Sequence, residues 1–168
     1  MGSIEPYEAV AGKRYRVRWR DKTHKQKEKR GFRTKRDAEL YLSSVSVRMA
    51  TGEYIDPGLA RATVGQRHDA WLNAKKATLK PSAYRVLEIT WRLHVAPTWE
   101  NVALSDVWYS DVQEWVTELA QIRSPAVTIR AHGILAGIMD TAVRDRRIPS
   151  NPCRASHSPA RTRSAIPT

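Results

Sequence analysis

The sequence predicts an α+β protein, in which a small three-stranded antiparallel sheet and one helix are followed by an all-α domain of four helices. Two observations predict this architecture. Short segments of alternating apolar and polar residues end near position 32, and beyond it the apolar residues recur at helical spacing. The positive charge is also divided, because residues 13 to 36 hold thirteen Lys and Arg against two acidic residues, whereas residues 63 to 152 hold eleven against nine. We therefore expect a basic sheet domain over residues 1–57, a helical domain over 58–152 and a linker or tail over 153–168.

The three strands are predicted around residues 7–10, 14–20 and 25–32, with Gly and Asp at the turns between them. The central strand has arginine at every second position, so one face of the sheet carries four guanidinium groups: Arg14, Arg16, Arg18 and Arg20. The opposite face is apolar, with Tyr15, Val17 and Trp19. Four like charges in register repel one another unless an anion lies along them. Together with the formal net charge of +12, this arginine face predicts a polyanionic partner.

A helix is predicted directly after the sheet. Thr34 suits its N-cap, with Asp37 three residues later, and Gly52 suits its C-terminal end. Between these caps the apolar residues follow a helical stripe: Ala38, Tyr41, Leu42, Val45 and Met49. We expect this stripe to pack on the apolar face of the sheet and to leave the arginine face uncovered.

Four helices are predicted in the second half, and each begins at a recognisable signal. These signals are two capping boxes and two prolines at first helical positions: Thr63 with Gln66, Pro81, Ser110 with Gln113, and Pro125 after Ser124. The second of these helices is expected to stop before Pro97. Most of the tryptophans in this half are expected to lie in the core of a helical bundle.

Composition excludes several kinds of site. Every apolar run is shorter than the ~18 residues that a membrane span requires, and the N-terminus lacks the pattern of a signal peptide, so we expect a cytoplasmic protein without a membrane partner. Cys153 is the only cysteine, and the five histidines do not have metal-ligand spacing. Neither a metal ion nor another cofactor is expected.

The order of segments resembles the N-terminal part of phage-type integrases of the tyrosine recombinase family, especially those of actinobacteria and their phages. The segments that carry this resemblance follow the basic sheet in order, and they are FRTKRDAELYL, TGEYIDPG, LKPSAYRVLEITWRLHVAP, DVQEWVTELA and AVRDRRIPSNPC. The resemblance covers residues 1 to 155. It implies an arm-binding domain, whose sheet enters the major groove at arm-type attachment sites, followed by a core-binding domain that clasps the crossover site.

The resemblance also implies which residues contact DNA. In the first domain, the DNA-facing strand corresponds to the four arginines from Arg14 to Arg20. In the second domain, the residues that match are at the starts of two helices: Lys80, Ser82, Arg85, Ser124, Thr128 and Arg130. Charge alone adds a set of expected phosphate contacts around the third strand: Lys25, Lys27, Lys29, Arg30 and Arg33.

The integrase family's catalytic domain supplies a His-x-x-Arg group and a late nucleophilic tyrosine, among other residues. Neither occurs here, because no histidine is followed by arginine at the third position and Tyr109 is the last tyrosine. The chain is therefore expected not to cleave DNA, since cleavage needs the covalent tyrosine intermediate. It is expected to be either a piece of a longer tyrosine recombinase or a naturally shortened integrase.

The expected partner is double-stranded DNA at attachment sites, with self-association on the DNA as a possibility and no small-molecule substrate. Three alternatives stay open at the level of sequence. The chain can be a DNA-binding regulator or decoy that occupies attachment sites, or an RNA-binding module, although the sheet face offers arginine where such modules expose aromatic residues. It can also be an adaptor whose helical domain binds protein.

Overall fold

The structure, a computed structural model, describes residues 2–154. Internal contacts divide the chain into a first unit that ends at Tyr54 and a second unit that begins at Ile55. This division lies in the turn-rich segment where the sequence predicts a boundary after residue 57. Most of the predicted tail, residues 155–168, lies outside the described residues.

The first unit is a three-stranded antiparallel sheet with one helix, as predicted. The sheet has the order β1-β2-β3, and the elements are β1 (Ser3–Ala9), β2 (Gly12–Arg20), β3 (Gln26–Phe32) and α1 (Lys35–Thr51). Strand β1 begins four residues earlier than predicted, since Pro6 interrupts the strand pattern of the sequence. An edge strand tolerates proline because one side of its backbone has no strand partner.

Helix α1 packs on the apolar face of the sheet. Val17 and Trp19 are buried together with Ala38 and Val45 of the helix. The rings of Trp19 and Tyr41 meet edge to face, with centroids 5.8 Å apart. Both predicted caps are present, since the Thr34 hydroxyl accepts a hydrogen bond from the Asp37 amide and Gly52 adopts a left-handed conformation with φ of 79°.

The second unit contains the four predicted helices and shorter ones between them. The elements are α2 (Pro57–Ala60), α3 (Val64–Lys76), α4 (Pro81–Thr90), a π-helical segment (Trp91–Val95), α5 (Ala96–Trp99), a 3-10 turn (Leu104–Asp106), α6 (Tyr109–Ile122) and α7 (Pro125–Arg144). The capping box of Thr63 with Gln66 is formed, and Pro81 and Pro125 begin their helices as predicted.

Two of the predicted helix ends are wrong. The helix that begins at Pro81 does not stop before Pro97, because its hydrogen bonding widens over Trp91–Val95 and the amide of Ala96 donates to the carbonyl of Trp91. A π-helical turn admits the proline, whose missing N–H and bulky ring would break a regular α-helical ladder. Helix α6 begins at Tyr109 without a side-chain cap, so Ser110 lies inside its first turn.

The core of the second unit is built from the apolar faces of its long helices. Three tryptophans are buried in it, Trp91, Trp99 and Trp115, as expected. Cys153 also belongs to this core and is 5% exposed, although the sequence assigns it to the tail. The segment after α7 folds back, because the Asn151 amide donates to the Ala136 carbonyl at 2.9 Å and thereby holds the chain against the helix.

Candidate nucleic-acid interface

The face of the sheet opposite α1 carries the four arginines of β2. Cross-strand neighbours share a face, so the register fixes which residues of the flanking strands accompany them. Glu5 of β1 pairs with Arg16, and Glu28 of β3 pairs with Arg18. The arginine face therefore contains acidic residues on both sides of the basic strand.

The two central arginines each lie close to both of these glutamates. Arg16 Nε donates to Glu5 Oε2 at 2.9 Å, and one of its terminal nitrogens lies 4.0 Å from Glu28 Oε2. Arg18 Nε donates to Glu28 Oε2 at 2.9 Å, and its Nη1 donates to Glu5 Oε1 at 3.2 Å. We call these four residues, Glu5, Arg16, Arg18 and Glu28, the Arg–Glu quartet. Each guanidinium of the quartet therefore lies within 4.0 Å of both carboxylates.

The quartet revises the reasoning from sequence, which required an external anion to lie along all four arginines. Two carboxylates of the protein itself accompany Arg16 and Arg18. The hydrogen bond from Arg18, followed by that from Arg30, lowers the pKa of Glu28, which keeps this carboxylate charged. Arg14 and Arg20 lie towards the ends of β2, and their guanidinium groups form no side-chain hydrogen bond or ion pair within the described part of the chain.

The lysines of β3 lie on the other side of the sheet. Lys29 pairs in register with Val17, and its Nζ lies 4.4 Å from the centre of the Tyr41 ring. Lys27 pairs with Trp19, and its Nζ lies 4.0 Å from Asp21 Oδ2. Both lysines were expected to contact phosphate, and the strand alternation places them on the side of α1, away from the arginine face.

A bulge in β3 separates these lysines from Arg30. Strand β2 advances by two residues between Tyr15 and Val17, while β3 advances by three between Lys29 and Phe32. Gly31 accommodates the extra residue with φ of 97°. Arg30 reaches the arginine face, because its Nε bonds to Glu28.

The loop between β2 and β3 is organised by a single carboxylate. Asp21 Oδ1 accepts hydrogen bonds from the Thr23 amide at 2.8 Å, the Thr23 hydroxyl at 2.6 Å and the Lys25 amide at 3.0 Å. The Thr23 hydroxyl contributes most to lowering the pKa of Asp21. Lys25 is exposed in this ordered loop, and Arg33 is exposed after β3.

In the second unit, the predicted contacts at the start of α4 are accessible. Lys80, Ser82 and Arg85 are exposed around its first turn. At the start of α7 the exposure differs from the prediction. Thr128 is 7% exposed and its hydroxyl donates to the Ser124 carbonyl at 3.2 Å, so its polar group is already bonded inside the helix.

The other two predicted contacts at the start of α7, Ser124 and Arg130, are more exposed than Thr128. Ser124 is exposed, and its hydroxyl accepts from the Val127 amide at 3.5 Å as the N-cap of α7. Arg130 is half-buried.

An exposed aromatic pair at the start of α6 was not predicted from the sequence. Trp108 is 65% and Tyr109 52% exposed there.

An open cavity of about 660 Å³ lies in the second unit beside a stacked pair of rings. The His68 and Trp91 rings are parallel within 7°, with centroids 3.8 Å apart. Burial lowers the pKa of His68, and the neighbouring Asp69 opposes that effect. Three acidic residues line the cavity, Asp69, Glu88 and Glu100, so its charge does not suit a nucleic acid.

The described part of the chain, residues 2–154, brings together no group of three or more potential metal ligands. Its helices do not combine the length and the apolar character that crossing a membrane demands.

The comparisons with known proteins agree with this geometry. Residues 11–49, which comprise all of β2 and β3 and most of α1, match the family described as "Arm DNA-binding domain". Over 133 residues the chain is 29% identical to the putative prophage phiRv2 integrase of Mycobacterium tuberculosis, in both strain CDC 1551 / Oshkosh and strain H37Rv. The match covers 74% of this chain and 34% of each integrase. The chain thus spans about a third of the length of the curated relatives it matches.

Two solved structures share the fold. One is an integrase-like domain from Bacillus cereus, with a TM-score of 0.53 and 15% identity over 58% of this chain and 83% of that one. The other is lambda integrase, solved as a tetramer bound to a Holliday junction, with a TM-score of 0.50 and 15% identity over 88% of this chain and 45% of that one. Residues 11–49 of the first unit are thus similar to arm DNA-binding domains. The predicted resemblance of the chain to the N-terminal part of phage-type integrases is confirmed.

Proposed function

We propose that this chain binds double-stranded DNA as the N-terminal part of a phage-type integrase, with the arginine face of the first unit lying in the major groove of arm-type attachment sites. The observation that carries the proposal is that α1 covers one face of the sheet and leaves the face of Arg14 to Arg20 open, within the segment that matches the Arm DNA-binding domain. The major groove is about 12 Å wide and admits a β-ribbon.

The structure suggests different roles for the basic residues of this unit. Arg14, Arg20 and Arg30 lie around the quartet, and they supply the surplus positive charge that attracts phosphate. Lys25 and Arg33 are exposed beside the sheet and are proposed as further phosphate contacts. Lys27 and Lys29 lie on the side of α1 and are not part of this surface.

The second unit is proposed to bind core-type sites. Its accessible candidates are Lys80, Ser82 and Arg85 on α4, with Ser124 and Arg130 on α7. Thr128 is left out of this surface, because its hydroxyl is buried and bonded. The whole protein is proposed to be a tyrosine recombinase, and self-association on DNA is proposed with the lambda integrase assembly as support. This chain is proposed to bind DNA without cleaving it.

The arginine face can be tested with two variants of equal charge change. We expect Arg14→Gln/Arg20→Gln to weaken binding to a duplex obtained by selection from a random library, because two phosphate contacts are lost. Fluorescence anisotropy against salt concentration should show a slope lower by about 1.8, since each contact contributes about 0.9. The matched control Lys27→Gln/Lys29→Gln removes two positive charges from the other side of the sheet and should leave most of the slope intact. Equal losses of slope in the two variants would contradict the assignment of the face.

A further inference from the structure

The centre of the arginine face carries no net charge. The Arg–Glu quartet contains two guanidinium groups and two carboxylates, and each arginine lies within 4.0 Å of both glutamates. The surplus positive charge lies around the quartet, at Arg14, Arg20 and Arg30. Attraction to phosphate is therefore strongest at the edges of this face, and the two carboxylates oppose phosphate at its centre.

The quartet remains accessible to a ligand despite these internal bonds. The side chains are 37% exposed at Glu5 and 23% at Glu28, with 26% at Arg16 and 32% at Arg18. A guanidinium has five N–H donors, and the bonds of Arg18 to the two glutamates use its Nε and Nη1. The remaining donors can bond to another acceptor while the arginine stays in the quartet.

A surface that offers fixed donors beside fixed acceptors fits base edges better than it fits phosphate. In the major groove guanine presents the acceptors O6 and N7, to which arginine donates. The paired cytosine presents its N4 amino group, from which a carboxylate accepts. A phosphate group offers acceptors only, so it satisfies the arginines and is repelled by the glutamates.

We propose that Glu5 and Glu28 are specificity-determining residues, which hold Arg16 and Arg18 for guanine and exclude phosphate, so that the quartet reads G·C base pairs in the major groove. This inference rests on the proposed function, because it assumes that the arginine face lies in the groove. It assigns sequence reading to the quartet and electrostatic attraction to the arginines around it.

Single glutamine variants of the whole chain test the inference. Glu5→Gln and Glu28→Gln keep the length of the side chain and one oxygen acceptor but remove the negative charge. The matched control is Glu8→Gln, since Glu8 is exposed on the same strand as Glu5, alternates to the other face and forms no ion pair among the described residues. Each variant changes the net charge by the same amount, and melting temperatures check that each variant is folded.

Dissociation constants should be measured at matched salt for the selected duplex and for a random duplex. The control variant Glu8→Gln should tighten both complexes by the same factor. The ratio of its two dissociation constants should therefore equal that of the unmodified chain. In Glu5→Gln and Glu28→Gln we expect the random duplex to bind more tightly and the ratio to fall about tenfold. Repeating the selection with these variants should return sites in which the preference for G·C pairs is weakened.

The outcomes separate this inference from the function on which it rests. The first outcome is that the unmodified chain selects its site, and that the quartet variants keep both the ratio of the two dissociation constants and the preference for G·C pairs. The quartet would then be only a cross-strand ion-pair network, and the inference would be overturned. If the unmodified chain does not bind duplex DNA in preference to a non-nucleic polyanion such as heparin, the proposed function itself is overturned.

Discussion

The packing of α3 against α7 can be tested with two glycines of the same helix. Gly137 lies against Trp71, and a Cβ built at this position would lie 2.9 Å from the indole Cζ2 and Nε1. Gly133 is one turn earlier, and a Cβ there meets nothing within 4 Å. The two substitutions Gly133→Ala and Gly137→Ala therefore differ in one contact while sharing the same change in helix propensity.

The magnitudes follow from this geometry. Alanine is favoured over glycine inside a helix by about 1 kcal/mol, so Gly133→Ala should stabilise the second unit by about 0.5 to 1 kcal/mol. At Gly137 the same gain is opposed by overpacking, which costs about 1 to 3 kcal/mol because the ring of Trp71 must move. Both variants share the same gain in helix propensity, so the difference between their free energies of unfolding measures the contact with Trp71 alone.

Urea unfolding monitored by tryptophan fluorescence measures this difference, because every tryptophan except Trp19 lies in the second unit. In a Trp71→Ala background the clash is absent, and Gly137→Ala should then stabilise as Gly133→Ala does. If Gly137→Ala stabilises the unmodified chain as much as Gly133→Ala, the close packing of Trp71 on α7 is refuted.

Two further predictions concern titratable groups of the second unit. Burial lowers the pKa of His68 in spite of the acidic residues around it, Asp69, Glu88 and Glu100, so the folded unit binds fewer protons than the unfolded chain and loses stability as the pH falls below about 6.5. The variant His68→Phe can still stack on Trp91, and in urea titrations it should lose less stability between pH 7.5 and 5.5 than the unmodified chain. An unchanged loss of stability would contradict this prediction. Burial raises the pKa of Cys153 to about 12. A thiol reagent at pH 8 should therefore modify Cys153 at least about a hundredfold more slowly in the native chain than in the chain unfolded by urea. Equal rates would show that the segment after α7 does not pack on the helix.

The first unit shows which features a sequence pattern can predict. Alternation over the seven residues from Arg14 to Arg20 predicted both faces correctly, because arginine and large apolar side chains contrast strongly at a period of two. The quartet could not be predicted, since it depends on the register between strands. Pro6 concealed the start of β1, so Glu5 was not assigned to a strand, and the bulge at Gly31 shifted the alternation of β3.

In the second unit the helical period of the sequence indicates which residues are buried as well as where the helices lie. Thr128 precedes Ala131 by three residues and Leu135 by seven, so the helical period already indicated that it shares the buried stripe of α7. Lys80 and Arg85 are outside any such stripe, and they are exposed. The widened turn before Pro97 had no signal, because a proline predicts a break without indicating how the chain accommodates it.

The quartet changes how the charge of this chain relates to recognition. A count of charges treats each arginine of β2 as equivalent, and on that basis the whole face is an attractive surface for any polyanion. The structure separates the four arginines into two at the ends of the strand and two that are neutralised by Glu5 and Glu28. Unpaired charge determines the salt dependence, and fixed donors beside acceptors determine the choice of base. On the proposed function, affinity and specificity are therefore carried by different arginines of a single strand. Substituting an end arginine should therefore lower the salt slope with little change in site preference, whereas substituting a glutamate should lower the site preference.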